Sequence, residues 1–138
     1  MPRYRVLIAD DHPAILECVS EILSHDYEVV AAVGDGRAAI DAAAALLPDV
    51  VVLDISMPVL NGFEAAARLS NCARAPRIVF LTMHEDPAFV EAARNVGACG
   101  YVVKRTVAAQ LVPAIRLALN GQSVFPAAEF RYEPRPAL

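Results

Sequence analysis

Five residues carry the chemistry this sequence could perform: the adjacent acids Asp10 and Asp11, a third acid at Asp54, a hydroxyl at Thr82 and an amine at Lys104. They stand at or just past the ends of four short apolar runs, RVLIA at 5–9, VVVL at 50–53, RIVFL at 77–81 and GYVV at 100–103. Taken singly, each is ordinary. Asp11 could cap a helix, Asp54 could serve the turn through Ser56-Met57-Pro58, and Thr82 and Lys104 suit any strand end. As a set they call for a shared task, because carboxylates brought close together repel one another unless a cation compensates them. Hard oxygen donors without His or Cys among them favour Mg²⁺ or Mn²⁺ with several waters retained, and such an ion attracts phosphoryl oxygens. An aspartate can act as a nucleophile and form an acyl phosphate. Thr82 could then hydrogen-bond one phosphoryl oxygen, Lys104 could neutralise another, and the ion could hold the third.

That convergence requires a scaffold that brings the four run ends to one edge. A fifth run, EVVAAV at 28–33, completes a series of short Val/Ile/Leu-rich segments with little alternation, the pattern of strands buried on both faces of a parallel sheet. Between them lie segments of helical period. The first opens at Pro13 and places Ile15, Val19, Ile22 and Leu23 on one stripe. The second runs from Gly36 through Ala45, and the third follows Asn61-Gly62. The fourth starts at Asp86-Pro87 and stops at Gly97, and the fifth spans Val107 to Leu119 with Pro113 as an internal weakness. Alternation of this kind predicts an α/β domain with a doubly wound, five-stranded parallel sheet flanked by five helices, flavodoxin-like in topology. In such sheets ligands bind beyond the carboxyl ends of the strands, where the five residues stand. The expected domain is 1–121, with 122–138 a Pro-containing linker or tail.

Composition narrows the classes. A chain of 138 residues with 57% hydrophobic content supports one ordinary domain. Its formal charge is −4 and its basic residues form no stripe, which argues against nucleic-acid binding by this chain alone. Cys18, Cys72 and Cys99 lack CxxC spacing and read as small buried hydrophobes in a reducing compartment. No apolar run is long enough for a membrane span, so the expected location is cytoplasmic. His12 reads as local packing or capping at a helix start rather than as a ligand, His84 as a loop residue or a tuner of phosphate lifetime, and His25 as a cation at a helix end.

The stretches ADDHPAI at 9–15, VVLDISMPVLNGFEA at 51–65, IVFLTMHED at 78–86 and GACGYVVKRT at 97–106 resemble the receiver domain of bacterial two-component response regulators. DDHP, LTMHED and GACGYVVK look more narrowly like the NarL/FixJ (LuxR-type) subfamily, and the resemblance covers residues 4–126. It implies a CheY-like receiver fold with Asp54 as the phosphorylated residue. It also implies Mg²⁺ (or Mn²⁺) held by Asp10, Asp11, Asp54 and the backbone carbonyl of Ser56. Thr82 would be the switch hydroxyl, Lys104 the phosphate-binding amine and Tyr101 the aromatic switch, with Pro58 and Gly62 shaping the turn after Asp54. Arg105 follows the lysine where many receivers have proline, a departure common in the NarL-like group, and Leu60 stands where methionine is frequent. Ser56 and His84 occupy positions that tune dephosphorylation in the family, which leaves acyl-phosphate lifetime open.

The implied partner is a sensor histidine kinase; a homodimer through the apolar faces of the first and last helices, with Ile115, Leu117 and Leu119, is the alternative to core packing, which explains the same residues. NarL-like regulators usually continue into a DNA-binding helix-turn-helix domain, whereas this chain ends in FRYEPRPAL, so the output is expected to lie outside these residues. A stand-alone receiver acting by protein–protein contact is the alternative. An enzyme turning over external phosphoesters is disfavoured, because Ser56 stands where the haloacid-dehalogenase pattern needs a second acid; self-phosphorylation and autodephosphorylation are the only reactions expected. No G-x-G-x-x-G follows the first run, so dinucleotide binding is also disfavoured.

Overall fold

Five parallel strands, β1 (Arg5–Ala9), β2 (Glu28–Val33), β3 (Val50–Leu53), β4 (Arg77–Thr82) and β5 (Gly100–Val103), pair in the order β2-β1-β3-β4-β5. Between and after them lie α1 (Pro13–Leu23), α2 (Gly36–Leu46), α3 (Gly62–Ser70), α4 (Pro87–Asn95) and α5 (Val107–Leu119), with a 3₁₀ turn at Lys104–Thr106 before the last helix. The computed structural model describes residues 3–126.

The near-continuous apolar strands are explained by where their side chains go. Leu7, Ala9, Val51, Leu53, Ile78, Phe80 and Tyr101 point into a core shared with α2, α3 and α4. Their neighbours Val6, Ile8, Val50, Val52, Val79, Leu81 and Val102 point the other way, against Val19 and Leu23 of α1 and Leu111 and Ile115 of α5. Each such burial stabilises the fold by roughly 1.5–3 kcal/mol, and the cover on both faces leaves the carboxyl edge of the sheet as the open ground for polar side chains. This is the doubly wound sheet that the alternating runs predict.

Helix starts follow local chemistry. Asp35 accepts from the Ala38 amide at 2.7 Å, Asp86 accepts from Ala88 at 2.8 Å, and Asn61 and Glu64 form a reciprocal capping box. α5 passes through Pro113 without a break; both Pro113 and Ala109, whose carbonyl loses its partner there, are exposed, so water can satisfy the freed group. The turn from β3 into α3 is tight enough to require glycine. A Cβ on Gly62 would stand 2.1 Å from the Asp54 carbonyl oxygen, and the Gly62 amide donates to Ile55 O at 2.7 Å. Backbone fills that space and cannot move aside, so Gly62→Ala is expected to cost about 3 kcal/mol or more, read as a loss of Tm with Asp54 displaced.

Two expectations change. The segment after α5 is not all tail: Val124 bridges to Gly100, its amide donates to Cys99 O at 2.9 Å, and its carbonyl accepts from Tyr101 at 2.9 Å. β5 is an edge strand with free ladder groups, and Val124 occupies them. Phe125 packs on the core with Arg94 over its ring at 4.2 Å, so the ordered unit passes 121; residues 127–138 lie outside the described residues. Cys18 and Cys72 are exposed and so are not the buried hydrophobes expected, whereas half-buried Cys99 does pack against the core. Ile115 is fully buried and Leu119 packs in part on the same core, as the core-packing reading of these residues expects. Among the described residues no helix is long and apolar enough to cross a membrane.

Candidate functional site

Strand register brings the sequence-predicted residues to one edge. Ala9 pairs beside Leu53, Leu53 beside Phe80, and Thr82 beside Val103, so the chain leaves the sheet at Asp10, Asp54, Thr82 and Lys104 in neighbouring positions. The ladder extends one step further through the Asp54 amide, which donates to Ala9 O at 2.9 Å, and the Asp10 amide, which donates to Val33 O at 3.0 Å. Both acids therefore sit on fixed backbone.

Their carboxylates are almost out of water, Asp10 at 2% exposure and Asp54 at 4%. The Lys104 ammonium lies between them, 2.6 Å from Asp10 Oδ2 and 3.3 Å from Asp54 Oδ2, with its side chain 8% exposed. Asp54 Oδ1 accepts the Ile55 amide at 2.8 Å. Burial nevertheless raises the Asp54 pKa above the ordinary carboxylate value; the Asp10 charge adds to the rise, and the Lys104 charge and the Ile55 amide offset it only in part.

A raised native pKa means that the folded form retains a proton the unfolded chain has lost, so this group's contribution is present in acid and is lost as pH rises through the native pKa. Asp54→Asn is accordingly expected to stabilise the ion-free domain near neutral pH by roughly 1 kcal/mol, about 3–5 °C in Tm. The gain should vanish at about pH 3, where the native carboxyl is protonated too; thermal melts at the two pH values check it.

Asp10 Oδ2 is paired with the Lys104 ammonium at 2.6 Å and has no other partner, so that one cation compensates this buried oxygen. A divalent ion binding here would share or replace that contact. Asp10, Asp11, Asp54 and His12 each offer a ligand atom, all within 4.8 Å of one another. Asp11 is not the helix cap: the N-cap position of α1 belongs to His12, whose ring makes no capping bond and turns instead to the acids. The reading of His12 as packing or capping is therefore corrected. The donor set is that of a hard divalent cation, with one imidazole added.

The other half of the site centres on a residue that the sequence singles out only weakly. Thr82, fully buried, accepts the His84 amide on Oγ1 at 3.3 Å. His84 Nε2 lies 2.9 Å from Ser56 Oγ, and the His84 carbonyl accepts the Tyr101 hydroxyl at 2.7 Å. The imidazole edge rests on Phe89, 4.3 Å between ring centroids. His84 thus ties the turn after β3, the end of β4 and Tyr101 of β5 together. The Tyr101 ring is 3% exposed, and burial pushes its hydroxyl pKa well above the usual phenol value, with Asp86, Glu85 and Asp54 adding to the rise. It stays a neutral donor. The structure thus gathers Asp10, Asp11, Asp54 and Lys104 into one cluster, places Thr82 on the adjoining strand end, and connects Thr82, Ser56 and Tyr101 through His84.

Known proteins resemble this chain throughout. Residues 6–116 match the family model described as response regulator receiver domain. The transcriptional regulatory protein PdtaR of Mycobacterium tuberculosis is 40% identical over 121 residues, covering 87% of this chain and 58% of its own length. The chain therefore spans a little over half the length of such curated relatives. Among solved structures, the LuxR-family two-component response regulator from Aurantimonas sp. SI85-9A1 superposes with a TM-score of 0.87 at 34% identity, covering 95% of this chain and 99% of that one. The signal receiver domain of the response regulator NarL from Mycobacterium tuberculosis gives 0.84 at 33% identity over 88% of this chain and 100% of its own.

Proposed function

This chain belongs to the response regulator receiver-domain family, and from that membership we propose that Asp54 is the phosphoacceptor of a two-component signalling switch. The observation that carries the assignment is the Lys104 ammonium lodged between the buried carboxylates of Asp10 and Asp54. A buried nucleophile with a movable cation beside it is what transfer of a phosphoryl group to an aspartate asks of a protein.

In the step itself a carboxylate oxygen of Asp54 forms a bond to phosphorus, while the bond to the donor's leaving group breaks and that group departs with its electron pair. The donor is a phosphohistidine of a sensor histidine kinase or a small acyl phosphate. Asp10, Asp11, Asp54 and the backbone carbonyl of Ser56 would hold Mg²⁺ or Mn²⁺. When bound, that ion offsets charge on the phosphoryl oxygens. Lys104 exchanges its contact with the acids for a phosphoryl oxygen. Thr82 turns its hydroxyl proton toward another, while its Oγ1 still accepts from His84.

That last link gives the switch its output. Movement of Thr82 pulls the His84 peptide, and the His84 carbonyl holds the Tyr101 hydroxyl, so the strand-end aromatic responds to the state of Asp54. The chain turns over no external substrate in this reading; it accepts and loses its own phosphoryl group. It works in the cytoplasm, and its output is DNA binding through a region corresponding to the part of the relatives that this chain does not match.

Beryllofluoride with Mg²⁺, followed by fluorine NMR, tests the assignment. A bound signal is expected for wild type and none for Asp54→Asn; a wild type with no bound signal would make the chain a non-phosphorylated binding module.

A further inference from the structure

His12 holds the N-cap position of α1, yet its ring caps nothing. Its Nδ1 is hydrogen-bonded to Asp10 Oδ1 at 2.9 Å, an oxygen that also accepts the His12 amide at 2.9 Å, and lies 3.1 Å from Asp11 Oδ1. Adjacent donors on an octahedral ion with bonds of about 2.1 Å stand about 3.0 Å apart. These three atoms therefore already have the spacing of two octahedral edges meeting at the nitrogen. Asp54 completes the four-residue set within 4.8 Å, and the Lys104 ammonium, 2.6 Å from the buried Asp10 Oδ2, holds the cation position that an arriving ion would share or take over. The His12 side chain is 56% exposed, so the ring can settle onto an arriving ion without disturbing the core.

We propose that His12 is a nitrogen ligand of the divalent ion, which makes this a mixed nitrogen–oxygen site tuned toward Mn²⁺, Co²⁺ and Zn²⁺. The inference rests on the reading of Asp10, Asp11 and Asp54 as the ion-binding acids. Chemistry supplies the selectivity: Mg²⁺ gains little from an imidazole, whereas first-row transition ions bind it well, with affinity rising along the series. The ion present in the cell would then set how firmly the acid cluster is compensated before Asp54 reacts.

Pulsed EPR on the Mn²⁺-loaded chain reads the ligand directly. Wild type should show coupling to a coordinated ¹⁴N, and His12→Ala should lose it. In parallel titrations His12→Ala should bind Co²⁺ at least about tenfold more weakly while its Mg²⁺ affinity stays within about threefold. Nitrogen coupling that persists in His12→Ala, or Co²⁺ and Mg²⁺ affinities that fall together, would overturn the proposal. If His12→Ala fails to fold, the wild-type spectrum decides alone. A wild type that binds Mn²⁺ without nitrogen coupling removes His12 as a ligand and leaves the role of Asp54 standing. One that binds no Mn²⁺ at all removes both.

Discussion

Asp54→Asn should abolish phosphoryl uptake from acetyl phosphate in the presence of Mg²⁺, a loss of at least about a hundredfold. Asparagine keeps the shape and can keep the contact with the Ile55 amide, but its amide oxygen is no nucleophile toward phosphorus. The fold should survive, because the substitution removes a buried charge whose pKa is already raised by burial. Intact-mass measurement over time reads the result. Uptake by the variant at the wild-type rate would remove Asp54 from the role and send attention to Asp10 or Asp11.

Lys104→Met should destabilise the ion-free domain by about 3–5 kcal/mol, because removing one partner of a buried ion pair leaves uncompensated charge behind. Methionine retains much of the apolar stem, so the loss isolates the ammonium that stands 2.6 Å from Asp10 and 3.3 Å from Asp54. In Tm this is a fall of about 10–20 °C for a domain of this size. Two signatures separate it from general damage. Acid should shrink the loss, since a protonated Asp54 no longer needs the cation. A divalent ion should raise Tm more in the variant than in wild type, with about 2.7 kcal/mol recovered at a hundredfold excess over Kd. A loss below about 1 kcal/mol would mean that Lys104 is a surface lysine that happens to lean inward.

The strands and helices were readable because each announces itself locally: apolar runs buried on both faces, capping Asp and Asn residues, and Pro13 and Pro87 at helix starts. The placement of Asp10, Asp54, Thr82 and Lys104 followed from one rule about parallel sheets, that their carboxyl ends meet along an edge. What stayed hidden depended on contacts between elements distant in the chain. His84 sits two residues past Thr82, but its bonds to Ser56 and Tyr101 exist only because the β3 turn and β5 flank β4. Spacing does not encode that. The direction of the His12 ring was settled by the two acids beside it, where its position at a helix start suggested a cap. Val124 and Phe125, surrounded by tail-like residues, are drawn in by the unpaired edge of β5. Cys18 falls beside the apolar stripe of α1 and not on it, which a residue-type argument alone misses.

Trapping the product tests the central claim most directly. The chain is incubated with acetyl phosphate and Mg²⁺, reduced at once with borohydride, and analysed by peptide mass spectrometry; hydride converts an aspartyl phosphate to homoserine. Homoserine is expected at position 54 and at no other aspartate. Homoserine at position 10 or 11 with Asp54 intact, or phosphate found instead on a histidine, would contradict it.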